Sequence, residues 1–355
     1  MDIDLPRPAR LIDCAAADFF PGYFAVAMAT GTLSIAAHLL HIDTMARAFF
    51  YINGSAYLVL FGLLLIRIVR HPHRLVDDMH SHSRGPGFFT LVPGTCILGA
   101  QMQIIVHSPL MADLLLGLGL LSWLVVMYWF FIAIIVHPRK PSLRNGINGS
   151  WLLASVATHS LAILCTLAEW PAAWRTPALL LALCLFLVGG MLYLVIIPII
   201  FYRLTFVALD VTLLSPPYWI NMGAMAIATL SGAGLMLTLP TVPALSDFLP
   251  FIRGITLFMW ASATWWIPLL LGLSAWRYLI ARHPLRYDPQ YWSIVFPIAM
   301  YTAATARLGE ALAIPALLVL PHLSLWAALA VWVGTAIGML TARRNQHAQS
   351  SKADD

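Results

Sequence analysis

Charged residues are scarce in this chain. Only 10% of its 355 residues are charged, whereas 61% are hydrophobic and the mean hydropathy is +0.83. A soluble protein of this size carries about 25% charged residues. The composition therefore predicts an integral membrane protein with little room for a separate soluble domain. The net charge of +5 then bears on orientation in the membrane rather than on nucleic acid binding.

Cysteines and catalytic motifs are also few. The four cysteines are scattered, and three lie in apolar runs, so they predict neither a disulfide framework nor a metal motif. The chain has no P-loop, no Rossmann glycine pattern and no Ser/His/Asp set. We therefore expect no enzyme, no cofactor, no resident metal and no nucleic acid partner. The first 18 residues are acidic and mixed, which does not resemble a cleavable signal peptide.

Long apolar stretches dominate the rest of the chain, and about 20 such residues span a bilayer. Ten stretches qualify: 19–40, 47–69, 87–106, 110–136, 149–168, 177–202, 216–238, 252–280, 290–312 and 321–342. We predict an all-α integral membrane protein with an N-terminal segment (1–18), a transmembrane domain (19–342) and a C-terminal tail (343–355).

Basic residues indicate the orientation, because Lys and Arg near helix ends concentrate in the cytoplasm. With ten spans, only four of the 20 basic residues fall on one side: Arg47, Arg175, Arg253 and Arg307. This asymmetry predicts that both termini are cytoplasmic. The expected location is the plasma (bacterial inner) membrane. An odd number of spans would destroy the pattern.

Odd and even spans differ in composition. The even spans are apolar all round, whereas the odd spans are rich in Gly, Ser, Thr and Pro. Small residues permit close helix packing, which alone could explain them. The regular alternation favours five helical hairpins in a quasi-fivefold arrangement, with the odd helices surrounding a central pore.

The odd spans also repeat. Each begins with an aromatic residue after Pro or Gly, and these are Phe24, Phe89, Trp151, Trp219 and Trp292. Such self-similarity is typical of repeat architectures. Four residues further along lie Met28, Pro93, Ser155, Gly223 and Phe296, which we predict to line the pore at one depth. Phe296 is the one large, rigid side chain of this set and is therefore the candidate plug.

The span 290–312 is irregular. Pro297 removes a backbone hydrogen bond and kinks the helix, and broken helices lie where they pack against protein or line a cavity. We predict that Phe296 and Pro297 form a pore gate, although a kinked packing helix is the alternative. Hydroxyl groups would hold anions weakly, which permits fast exit, and the predicted ones are Thr30, Thr95, Ser155, Thr158 and Thr302.

Several polar residues leave alternatives open. Arg307 and Glu310 have the spacing of a helical ion pair near the end of the pore, and they could also attract anions. His159 could carry a proton or could be a hydrogen-bonded packing residue. Two His-x-His pairs at residues 71–82 could bind metal or form a solvated loop.

Three stretches resemble a known family. The stretches are W-S-x-x-F-P followed by A-T-x-R-x-x-E from Trp292, PGYFAVAMATGTLSIAAHLL from Pro21 and PGFFTLVPGTCILGAQ from Pro86. They are similar to helices of the tellurite-resistance/C4-dicarboxylate transporter family. That family includes the slow anion channels of plant guard cells. The resemblance implies ten helices in five hairpins, a phenylalanine plug at Phe296 and a homotrimer. The family also has a basic residue and a glutamate at the positions that match Arg307 and Glu310.

The expected function is therefore a passive channel or facilitator for small anions through a phenylalanine-gated pore in the lipid bilayer. The first alternative is a proton-coupled transporter of C4-dicarboxylates or sulfite that uses His159 or Glu310. The second is a membrane enzyme or metal sensor that uses the histidine loop.

Overall fold

The computed structural model describes residues 7–208 and 210–351, and side chains over 12–208 and 210–342. Every regular element in this part of the chain is helical, which confirms the predicted all-α class. The long helices are α1 (Ala25–Leu39), α2 (Asp43–Arg70), α3 (Leu91–Gln101), α4 (Pro109–Val136), α5 (Leu153–Leu167), α6 (Ala172–Phe206), α7 (Ile220–Thr238), α8 (Leu249–Ala275), α9 (Trp292–Leu312) and α10 (Val319–Ser351). Shorter helices include Arg7–Ala17 and Pro72–Met79.

Each odd-numbered helix starts with a 3-10 turn. These turns are Pro21–Phe24, Gly85–Thr90, Gly149–Leu152, Pro216–Trp219 and Pro289–Tyr291. Four of them contain proline, whose fixed φ suits the first helical position and whose missing N–H costs nothing there. The repeated sequence signal thus corresponds to a repeated local structure.

Within the described residues, nine helical segments are long and apolar enough to cross a membrane. They include 149–167, where His159 lies. Helix α9 is not among the nine, because Pro297, Arg307, Glu310 and several threonines lower its mean hydropathy. It is nevertheless a helix of 21 residues. The count of ten spans therefore stays a prediction.

The odd helices lie inside and the even helices outside. Helices α1, α3, α5, α7 and α9 contact one another in this order, and α9 contacts α1 again, which closes a ring. Of the residues in the apolar windows of α1, α3, α5 and α7, 72–78% are buried, against 17–44% in the even helices. Each even helix packs against the odd helices before and after it, with α10 returning to α1. Its outer face carries exposed Leu, Val, Ile and aromatic side chains.

Some boundaries differ from the predicted ones. Helix α6 is 35 residues long and starts at Ala172, and α10 continues to Ser351 within the predicted tail. Helices α3 and α8 are extended by single π-helical turns, Met102–Val106 and Trp276–Ile280. Hydropathy detects the apolar middle of a helix, whereas its polar ends continue until the backbone geometry changes.

Candidate functional site

A cavity opens inside the ring at the C-terminal ends of the odd helices. Its volume, counted as the space open to the centres of water-sized molecules, is about 170 Å³. All five odd helices contribute, with Ile35 and His38 from α1, Ala100 from α3, Ile163 and Thr166 from α5, Leu230 and Gly234 from α7, and Arg307 from α9. Because its walls come from every member of the ring, this cavity lies on the ring axis.

A narrower space continues the cavity towards the middle of the ring. It shares Ile35, Ala100, Ile163 and Leu230 with the wider part and leaves only about 20 Å³. The other residues lining it are Thr32, Cys96, Ile97, Ser160, Ile227 and Met300. The walls are thus mainly aliphatic. The buried hydroxyl of Thr32 has no hydrogen-bond partner among the described residues.

Phe296 lies one helical turn before Met300 on α9. A spacing of four residues places the two side chains on one face of the helix, and Phe296 is only 1% exposed. Pro297 packs against α7, where a Cβ atom on Gly223 would lie 2.8 Å from the proline Cγ. This segment of α9 is therefore held tightly against its neighbour in the ring.

Three other residues of the predicted set also lie one helical turn before a residue that lines the narrow space. Met28, Pro93 and Gly223 are buried and precede Thr32, Ile97 and Ile227 by four residues each. All three of those following residues line the narrow space. Each of the three therefore lies one helical turn before a residue that lines the narrow space, and their role as pore lining stays a prediction.

Ser155 is an exception and requires a correction. Its hydroxyl donates a hydrogen bond to the carbonyl of Gly189 on α6, 2.7 Å away, so it points out of the ring. On α5 the narrow space is lined by Ser160 and Ile163, and the residue one turn before Ser160 is Val156. The predicted register of α5 is therefore off by one residue.

The hydroxyl groups expected to bind anions face the outer helices instead. Besides Ser155, the four predicted threonines are each within hydrogen-bond distance of an outer side chain, in the pairs Trp332–Thr30 (3.0 Å), Tyr57–Thr95 (2.8 Å), Trp123–Thr158 (2.9 Å) and Thr302–Ser324 (2.8 Å). The hydroxyls of Thr95 and Thr158 also donate to carbonyls one turn earlier. These groups tie the inner ring to the outer layer. We therefore do not assign them an anion-binding role.

Sequence reasoning missed Thr32 and the aliphatic residues of the narrow space. A signal was present, because they follow the repeat positions by one further helical turn. The tryptophans and tyrosines in the apolar outer helices were a second signal, since a buried indole N–H or phenol O–H needs a partner.

Arg307 and Glu310 form the predicted ion pair, with 2.6 Å between Nη1 and Oε2. Arg307 is 28% exposed and lines the wide cavity, whereas Glu310 is 55% exposed. The arginine therefore brings positive charge to the mouth of the cavity while its partner faces outward. The geometry is compatible with both predicted roles.

His159 and the histidines of residues 71–82, which the sequence singled out, do not line the central cavity. His159 is fully buried, and its Nδ1 lies 2.9 Å from the carbonyl oxygen of Ser155. Its ring packs edge-on against Phe186 of α6. In the loop after α2, burial lowers the pKa of His82, and the neighbouring His137 adds to this effect. Among the described residues, no group of three or more His, Cys, Asp or Glu could hold a metal ion.

Comparison with known proteins gives a family model that matches nearly the whole chain and a relative that matches part of it. Residues 18–340 match the family model described as voltage-dependent anion channel. An uncharacterized membrane protein of Mycobacterium tuberculosis, found in two strains, is 36% identical over 149 residues, which is 42% of this chain and 75% of the relative. The family match includes all five helices of the ring and the cavity they enclose. This chain belongs to the voltage-dependent anion channel family.

Proposed function

We propose that this protein is a passive channel or facilitator that moves small anions along the axis of the inner ring. The observation that carries this proposal is the axial cavity, to which all five odd helices contribute and which narrows towards Met300. Phe296 and Pro297 act as the gate. They lie about one helical turn before Met300 on α9, further from the wide cavity. Because the narrow walls are mainly aliphatic, an ion must shed water there, and an aromatic ring blocks passage by bulk and by dewetting.

Ten spans with both termini in the cytoplasm of a bacterial inner membrane complete the proposal. The cavity then opens on the non-cytoplasmic side, where Arg307 raises the local anion concentration. A positively charged mouth attracts anions at a rate that falls as salt rises. Among the described residues that line the narrow space, only Thr32 and Ser160 carry hydroxyls, and that of Ser160 already donates to the carbonyl of Ala157. Binding there is therefore weak and exit is fast.

The role of Arg307 can be separated from ion pairing by measuring flux in liposomes. Arg307→Gln should lower chloride or nitrate flux several-fold, more strongly at low salt. Arg253→Gln is the matched control, because Arg253 is exposed and does not line the cavity. Unchanged flux in both variants would leave Arg307 with a structural role only.

Coupled transport of C4-dicarboxylates or sulfite is less favoured. His159 points towards α6 rather than into the cavity, and Glu310 is paired and exposed. Reconstitution into liposomes tests the choice by measuring fluxes of chloride, nitrate, malate and sulfite with and without a proton gradient. We expect electrogenic flux that is independent of the gradient. Flux of malate or sulfite that requires the gradient would favour the coupled transporter.

We further propose a homotrimer, each protomer having its own path. The family resemblance is the main support, together with outer helices whose exposed apolar faces suit lipid or a second copy. Native mass measurement in mild detergent should give three protomers. A monomer under these conditions would contradict the proposal.

A further inference from the structure

A second cleft lies between α7, α8 and α9, at the end of the molecule where the odd helices begin. Its lining includes Tyr218, Arg277, Tyr278 and Ile294. It leaves about 20 Å³ for the centres of water-sized molecules, which is room for one small ion or water. None of these lining residues is acidic.

Arg277 is the charged residue of this cleft. It is only 8% exposed, and its Nε and Nη1 atoms have no hydrogen-bond partner among the described residues. Within the same part of the chain, it pairs with no carboxylate. Its guanidinium carbon lies 5.3 Å from the centre of the Tyr278 ring. A buried charge is costly unless a countercharge or hydrogen-bond acceptors compensate it.

Arginines near the corresponding ends of two other outer helices have protein acceptors. On α2, Arg67 pairs with Asp78 at 2.5 Å. On α6, Arg203 donates to the carbonyl of Arg144 at 2.7 Å. Each of these two arginines leaves one buried nitrogen without a partner, Arg67 Nε and Arg203 Nη1, whereas Arg277, which follows α8 at the same end of the molecule, leaves two, Nε and Nη1. An acceptor from outside the chain would fill this role.

Tyr218 adds a second unsatisfied donor. Its side chain is 1% exposed, and its hydroxyl has no partner in the described part of the chain. It belongs to the 3-10 turn that leads into α7, a helix of 19 residues whose amino end carries positive partial charge. Tyr218 and Arg277 thus both line a cleft without carboxylates, beside the start of α7, and the guanidinium carbon of Arg203 lies 5.6 Å from the centre of the Tyr218 ring.

We propose that this cleft binds one anionic group, either a small inorganic anion or a phosphate oxygen of an anionic phospholipid. Arg277 supplies the charge and Tyr218 a hydrogen bond. The cleft is separate from the axial cavity, but Ile294, which lines it, lies two residues before Phe296 on α9. The proposal concerns binding at the predicted cytoplasmic side, so it does not depend on conduction.

Thermal unfolding of delipidated protein in detergent tests the proposal. At constant ionic strength, sodium gluconate is replaced by sodium nitrate or sodium chloride. In a second arm, short-chain phosphatidylglycerol is added in gluconate. Ligand binding to the native state should raise the wild-type midpoint by about 1–2 °C, and the arm that gives the rise identifies the source of the anion.

Arg277→Gln should lose most of this rise. Arg286→Gln is the matched control, because Arg286 is exposed on the following loop, and it should keep the full rise. Sites in the axial cavity remain in every variant, so the difference between variants isolates the cleft. Equal rises in wild type and Arg277→Gln in both arms would overturn the proposal. If Arg277→Gln does not fold, Tyr218→Phe decides in its place, and a wild-type rise there would equally overturn it.

Discussion

Replacing Phe296 by alanine is the sharpest test of the gate. The side chain is 1% exposed and lies one turn from Met300, where the axial space leaves only about 20 Å³. That space is little more than one water needs, so the missing ring would add room for further water. If the ring contributes about 1.4–2.7 kcal/mol to the barrier, its loss should raise anion flux by roughly 10–100-fold.

The competing explanation is that Phe296 only fills the protein core. Truncating a buried phenylalanine typically costs about 3–5 kcal/mol of stability, and it would then lower the folded yield without raising flux. Phe186→Ala is the matched control, because Phe186 is equally buried but packs against His159 on the outer side of the ring. It should lower stability similarly and leave flux per molecule unchanged.

The assay is flux per folded molecule in liposomes, with the folded fraction measured by size exclusion before reconstitution. Phe296→Leu, which keeps part of the bulk, should give a flux between those of wild type and Phe296→Ala. Equal or lower flux from well-folded Phe296→Ala would reject the gate and, with it, much of the channel proposal.

Three further predictions concern packing and topology. Gly223→Ala should destabilise the protein by about 1–3 kcal/mol, because its new methyl group would lie 2.8 Å from Pro297. Gly254→Ala is the control and should not destabilise the protein, because a methyl group there would have nothing within 4 Å. Equal unfolding midpoints of the two variants would contradict the close contact. Thr30→Val should cost about 0.6 kcal/mol, and a double-mutant cycle with Trp332→Phe should show coupling if their 3.0 Å hydrogen bond forms. Tags at either terminus should resist an impermeant label in intact cells, whereas labelling of either would refute the ten-span topology.

Composition and local pattern predicted much of the architecture. Apolar length alone located the long helices, and the contrast between small, hydroxylated stretches and uniformly apolar ones predicted which helices lie inside. These properties depend on each segment's own residues, since a lipid-facing helix must be apolar whatever its neighbours. Phe296 and Pro297 stood out for the same reason, as a bulky residue and a helix breaker in an otherwise small-residue span.

Tertiary structure decided which face of each inner helix points towards the axis. Successive residues point about 100° apart around a helix, so a register error of one position is enough to misplace a side chain. Ser155 was predicted to face the axis but points towards Gly189, and Val156 is the residue one turn before Ser160. Likewise, the orientation of Thr30 depends on Trp332, some 300 residues away in the sequence. Local sequence cannot reveal such a partner, because the contact exists only once the last helix has packed against the first.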